Sequence, residues 1–251
     1  MGLGFWTSAM KAIKDADIVL FVLDARMPEL SRNRDLEGKL EESNKEFLLV
    51  FNKVDLISKE ALEKLKSQNK DAFFVSSDKN IHINQLRLAL QIKTKQSKHE
   101  KLEIGIVGYP NVGKSALTNV LSRSAKTQVS SKAGTTTGNQ WASSNQFKII
   151  DSPGVIPFED DEVKLGILGA KNPEKLKNPE LVATEIIKLI VNLNKKALED
   201  LYTFKIQDND EYEIMLQIGK AKNLLKKGGL VEETRTALMI IKDWQIGKLK
   251  I

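Results

Sequence analysis

Residues 103–107, EIGIV, run directly into residues 108–115, GYPNVGKS. An apolar run of strand length that ends in the pattern GxxxxGK[ST] and opens the stretch GKSALTNVLS predicts a strand, a glycine-rich loop and a helix. Backbone N–H groups of such a loop, backed by the positive end of the helix, cradle phosphates. Gly108, Gly113, Lys114 and Ser115 complete the pattern, and Val112 within it and Ala116 just past it are further candidate phosphate contacts. Lys114 is placed to lie along the β and γ phosphates, and the Ser115 hydroxyl to bind Mg²⁺.

Four more short apolar runs share the character of EIGIV: IVLFVL (18–23), FLLVF (47–51), AFFV (72–75) and FKII (147–150). Continuous apolar runs of this length suit parallel strands buried on both faces, and the polar, helix-periodic stretches between them suit crossover helices. The expected fold class is therefore α/β, with helices near 32–43, 58–68, 82–92 and 113–122 and Ser58 capping the second. Residues 93–101, KTKQSKHEK, read as an exposed connector. After about residue 165 the strand signal disappears. Val182, Ile186, Leu189, Ile190 and Leu193 recur at helical spacing, as do Ile214, Ile218, Ala221 and Leu225, the latter helix ending at Gly228 and Gly229. Two domains are expected, 1–166 as the α/β sheet and 167–251 as an all-helical, basic unit.

Composition narrows the chemistry. The 251 residues include no cysteine, which excludes disulfides, thiolate metal sites and cysteine nucleophiles, and only two histidines, His82 and His99. With 41% apolar residues but no long apolar run and no signal-peptide core, the expectation is a cytoplasmic protein without membrane contact. Lysine and arginine outnumber aspartate and glutamate 39 to 33, a net charge of +6 that favours an anionic partner.

Other motifs sit where the strands end. NKVD, Asn52 to Asp55, follows FLLVF; a carboxylate there can accept two hydrogen bonds from the donors of guanine's Watson–Crick edge, which adenine does not offer. Asn52 is placed to bond the purine and neighbouring loops, and the Lys53 stem to cover a face of the base. Ser76 and Ser77 in VSSD match a loop that supports the guanine carbonyl, although an ordinary serine-rich turn would look the same. DSPG, Asp151 to Gly154, ends FKII, so that Asp151 can hold Mg²⁺ through a water and the Gly154 N–H can meet a γ-phosphate. The long polar stretch 124–138, SAKTQVSSKAGTTTG, suits either a switch loop, with a Mg²⁺-binding threonine among Thr135, Thr136 and Thr137, or a merely flexible connection.

The order NKVD, SSD, GYPNVGKS, KAGTTT, DSPG resembles the circularly permuted GTPases of the YlqF/YawG type, in which the base-binding half precedes the phosphate-binding half. DARMPELSRN, residues 24–33, is similar to that family's segment after its first strand, and the helical C-terminal region is similar as well. The resemblance implies a P-loop GTPase sheet in permuted order that binds GTP or GDP with Mg²⁺. Its base contacts fall on Asn52, Lys53 and Asp55, its phosphate and Mg²⁺ contacts on Gly113, Lys114, Ser115, Asp151 and Gly154, and its switch threonine on Thr136. It also implies a role in large-ribosomal-subunit assembly with rRNA as partner, no DNA, and a monomer off the ribosome.

Two departures bear on catalysis. The residue after DxxG, glutamine in many GTPases, is Val155, and FWTSAM (5–10) lacks the histidine that some relatives supply near the N-terminus. Lys114, Thr136 and Gly154 remain as candidate catalytic groups. Asn111 resembles the asparagine of potassium-activated GTPases, where it helps bind K⁺; turn geometry alone would also place asparagine there. The expected enzyme is a GTPase that is slow alone and is stimulated by K⁺ and the ribosome. The other reading is a nucleotide-sensing, RNA-binding scaffold with little hydrolysis. From Gln217 to Ile251 there are eight Lys or Arg against three acids, which suits an RNA surface or a solvated helix face.

Overall fold

The computed structural model describes residues 3–97, 100–122, 140–143, 147–157 and 161–251. It falls into two compact units, Met1–Phe158 and Glu159–Ile251. The division lies at 158, ahead of the expected 166, because the short helix α6 (Glu162–Ile167) packs with the helices that follow it.

The first unit is an α/β sheet. Its elements in chain order are α1 (Leu3–Asp15), β1 (Ile18–Asp24), α2 (Arg34–Glu42), β2 (Phe47–Asn52), a 3₁₀ turn (Val54–Leu56), α3 (Lys59–Gln68), β3 (Phe73–Phe74), α4 (Ile83–Thr94), β4 (Leu102–Val107), α5 (Lys114–Ser122), β5 (Gln140–Ser143) and β6 (Phe147–Asp151). The strand order is β3-β2-β1-β4-β6-β5; five strands run parallel, and β5 closes the β6 edge antiparallel. Every residue of β1 is buried, as a central parallel strand covered on both faces requires. Ser58 caps α3, its side chain accepting from the Ala61 N–H, as expected.

The chain begins in the middle of the sheet, builds outward through β2 and β3, then returns to lay β4 on the other side of β1. That reversal makes a crevice at the carboxyl ends of β1 and β4, the place where open parallel sheets bind ligands. The loops after β1, β2, β3, β4 and β6 all leave the sheet at this edge.

In the first unit one helix and one strand escaped the sequence reading. α1 has small apolar residues, and its contact is made by tertiary fit: a Cβ on Gly105 of β4 would stand 2.9 Å from the Ala12 carbonyl oxygen. β5 is four residues long and carries too little pattern to be read.

The second unit contains α6, a 3₁₀ turn (Pro173–Lys175), α7 (Pro179–Tyr202), α8 (Glu211–Ala221) and α9 (Glu233–Gln245). Val182, Ile186, Ile190, Ile218, Ile240 and the fully buried Trp244 form its interior, with Trp244 Nε1 donating to the Ile167 carbonyl at 2.9 Å. One expectation is corrected here. α8 does not run on to Gly228; it ends at Ala221, where Asn223 takes a left-handed φ of 54°. Leu224 N–H then bonds back to the Gly219 carbonyl and Asn223 N–H to that of Lys220, closing the helix. Gly228 and Gly229 instead form the tip of a small hairpin, bridged between Leu225 and Val231. Among the described residues no helix is long and apolar enough to cross a membrane.

Candidate nucleotide site

Asn52 ends β2, and its side chain ties two loops together. Its Nδ2 donates to the Val112 carbonyl in the phosphate loop at 3.0 Å, and its Oδ1 accepts from the Ser77 N–H at 3.0 Å and the Ser77 hydroxyl at 3.1 Å. The motifs read separately as base and phosphate elements are therefore in direct contact. Ser76 is fully buried, but its hydroxyl accepts from the Lys79 N–H and shapes the turn.

Asp55 lies on the 3₁₀ turn after β2 and is partly open, while Val54 and Leu56 are buried on either side. Lys53 bends the chain into that turn with a left-handed φ of 65°. Its ammonium bonds Asp24 Oδ2 at 2.8 Å. Asp24, at the end of β1 and opposite Asn52 in register, is 1% exposed. Burial acts to raise the Asp24 carboxyl, yet the charges and hydrogen bonds of Lys53 and Arg26 outweigh it and hold it down at about 2.

In the phosphate loop, Gly113 has φ 98°, and a Cβ there would stand 2.1 Å from Asn52 Nδ2. Lys114 is buried, its ammonium donating to the carbonyls of Gly108 (3.2 Å) and Tyr109 (2.7 Å). Burial pushes it down to about 8, with the Asp151 charge acting the other way. Ser115 is the second residue of α5 and is exposed, Ala116 is partly exposed and Val112 buried. Asn111 is exposed with a left-handed φ of 60°, a conformation asparagine tolerates better than most residues.

Asp151 ends β6. Burial pushes its carboxyl up, against the hydrogen bond from Ser115 and the charge of Lys114. Its Oδ1 is buried and has no hydrogen-bond partner. A buried carboxylate oxygen left unpaired beside a serine hydroxyl fits a divalent cation, and Ser115 and Asp151 are the residues that would hold it, together with phosphate oxygens. Among the described residues no three His, Asp or Glu side chains gather into a self-sufficient metal site. Thr135, Thr136 and Thr137 lie outside the described residues.

The segment after DSPG is held from three sides. Gly154 lies against the backbone of Pro110, and the Val155 N–H donates to the Gly108 carbonyl at 3.1 Å. Asn33 Nδ2 donates to the Val155 carbonyl at 3.2 Å, and Trp6 Nε1 to that of Ile156 at 3.2 Å. Val155 is 0% exposed and packs in the core with Ile13, Leu23 and Val107, so it can neither contact nor orient water. Asp24, Arg26, Asn33 and Trp6 were not read as site residues. The available signal was a charged residue closing a wholly apolar strand, since a buried aspartate requires partners.

Residues 9–160 match the family described as RsgA GTPase, and residues 103–225 that described as 50S ribosome-binding GTPase. An uncharacterised GTP-binding protein of Methanocaldococcus jannaschii is 39% identical over 241 residues, 95% of this chain and 64% of that protein. Nucleolar GTP-binding protein 2 of Pneumocystis carinii is 30% identical over 256 residues, 97% of this chain and 52% of that protein. The chain thus spans between half and two thirds of these relatives. The GDP-bound structure of TM YlqF shares the fold, with a TM-score of 0.64 at 24% identity, covering 96% of this chain and 94% of that one. With its phosphate and base motifs meeting through Asn52 in permuted order, and with more than half its length matched by one family, the chain belongs to the RsgA GTPases.

Proposed function

We propose that this protein is a GTP-binding and GTP-hydrolysing switch acting in large-ribosomal-subunit assembly, with the helical unit binding rRNA. The observation that carries the nucleotide reading is the Asn52 bridge, which joins the guanine-reading turn, the Ser77 loop and the phosphate loop at one edge of the sheet. Lys114 and the N-terminus of α5 neutralise the phosphates, Ser115 and Asp151 hold Mg²⁺, and Thr136 and Gly154 sense the γ-phosphate. Mg²⁺ would supply charge neutralisation at the phosphates when bound.

The ribosomal reading is supported by the family description and by charge. In the helical unit Lys242 pairs with Glu174, Lys248 with Asp243 and Arg235 with Glu232, and Lys222 lies over the Tyr202 ring. Lys226 and Lys227 are exposed at the hairpin tip, and no ion pair engages them among the described residues. Unpaired lysines on a projecting turn suit phosphate contact. Because the chain runs from Gly154 straight into the helical unit, the nucleotide state has a covalent route to that surface.

Val155 in the core leaves the hydrolytic water without the usual glutamine, so turnover is slow alone, and Asn111 is the group through which K⁺ would act. Turnover is expected to rise with K⁺ in place of Na⁺, and again with large ribosomal subunits. Multiple-turnover assays in KCl and NaCl, with and without subunits, test this. Equal rates in the two salts remove the K⁺ role, and no turnover under any condition leaves the nucleotide-sensing scaffold.

Lys114 gives a pH signature. Its value of about 8 without nucleotide lies below the ordinary 10.5, and adjacent phosphate charge raises it. Between those limits the bound form carries more protons, so binding takes up a proton and affinity falls as pH rises above about 8. Calorimetry at pH ~9, a value inside that window, in two buffers of different ionisation heat reads the uptake directly; identical heats would exclude it.

A further inference from the structure

The end of β1 and the turn after it hold a buried carboxylate and guanidinium, Asp24 and Arg26, that the nucleotide reading does not use. Asp24 Oδ1 accepts from the Arg26 N–H at 3.1 Å and from Arg26 Nε at 3.1 Å; Oδ2 accepts from Arg26 Nη2 at 2.9 Å and from Lys53 Nζ at 2.8 Å. The Arg26 side chain is 2% exposed and that of Asp24 1%, while that of Lys53 is 21% exposed. Ser31 fixes the turn beneath, its hydroxyl accepting from the Asp24 N–H and donating to the Met27 carbonyl.

The geometry has a direction. A guanidinium forks onto the carboxylate from the same turn and fixes its plane. The remaining position on Oδ2 faces the next strand, where it takes the ammonium of Lys53. Lys53 is thereby tethered at its far end while its stem stays partly open at the edge of the site. A free lysine stem would sample many rotamers, and a left-handed backbone is costly for a residue with a Cβ. The tether offsets both, and the turn that Lys53 starts is the one that carries Asp55.

We propose that Asp24 is a positioning residue for guanine recognition: its Arg26-oriented carboxylate anchors the Lys53 ammonium, which lays the lysine stem over the base and sets the turn bearing Asp55. The proposal rests on the reading of NKVD as the base site. It assigns DAR at residues 24–26 a part in nucleotide affinity, exerted through Lys53 and without contact between Asp24 and the nucleotide.

The test uses the full chain with Asp24→Asn, Lys53→Met and the double variant, titrated with GDP and with inorganic triphosphate, which has no base. Each single change is expected to weaken GDP on the order of tenfold, the loss of one charged hydrogen bond. The double variant should be no weaker than the poorer single, and triphosphate affinity should be unchanged in all three. Unaltered GDP affinity in Asp24→Asn, fully multiplicative losses in the double variant, or triphosphate affinity falling in step with GDP would each overturn the proposal. Should Asp24→Asn fail to fold, Asp24→Glu keeps the charge while displacing the anchor, and carries the same expectations. Asp55→Asn run in parallel separates the two levels. If it leaves the preference for guanosine over xanthosine nucleotides intact, the base site is misread and the proposal falls with it. If it switches that preference while Asp24 variants keep full GDP affinity, only the anchor is wrong.

Discussion

Asp55→Asn is expected to weaken GTP by about 10²-fold and to turn xanthosine triphosphate into the preferred nucleotide. A carboxylate accepts from both guanine donors, N1–H and the 2-amino group. An asparagine amide keeps one acceptor and presents a donor where the other was, which opposes the 2-amino group and suits the 2-oxo group of xanthine. Losing one hydrogen bond to a charged acceptor costs about 1.5–3 kcal/mol, and leaving two donors facing each other adds to it. The fold should not suffer, because Asp55 is partly open between the buried Val54 and Leu56 and the turn is held by the Val54 N–H bond to the Val75 carbonyl at 3.2 Å. Titration with both nucleotides and a thermal melt without nucleotide check the two halves. Unchanged GTP affinity would refute the assignment of NKVD.

Gly113→Ala is expected to abolish nucleotide binding and to lower stability by about 2–4 kcal/mol. Two effects add at one atom. A φ of 98° is unfavourable for any residue with a Cβ, and the added carbon would stand 2.1 Å from Asn52 Nδ2. An amide can usually turn away, but this one cannot do so freely, since its two ends bond Val112 and Ser77. Relief of the clash therefore breaks the bridge between the base loops and the phosphate loop. Chemical denaturation and GDP titration measure the two effects. An alanine variant that retains GDP affinity within a few-fold would show that the bridge is dispensable.

Much of the site was legible in the chain. Five apolar runs of strand length, each ending in a polar turn, gave the parallel sheet, because strands buried on both faces have to be apolar throughout. NKVD, GYPNVGKS and DSPG stood at strand ends, and backbone geometry then brings them to one edge. Less legible was anything whose signal lies in fit: α1, whose alanines dock on Gly105, the closure of α8 by Asn223, and the burial of Val155. Asn223 competes with two conspicuous glycines as the helix stop, and only the turn actually formed decides between them.

The sequence by itself determined the class of sheet, the permuted order of the motifs and the identity of the candidate groups for base and phosphate, since these depend on local pattern and on side-chain chemistry. What only the tertiary structure decided is which of those groups touch. Asn52 joins residues 77 and 112, and Asp24 holds Lys53 across a strand boundary. Such pairs are set by strand order and register, and buried polar groups at those places must find partners that no window of sequence can contain.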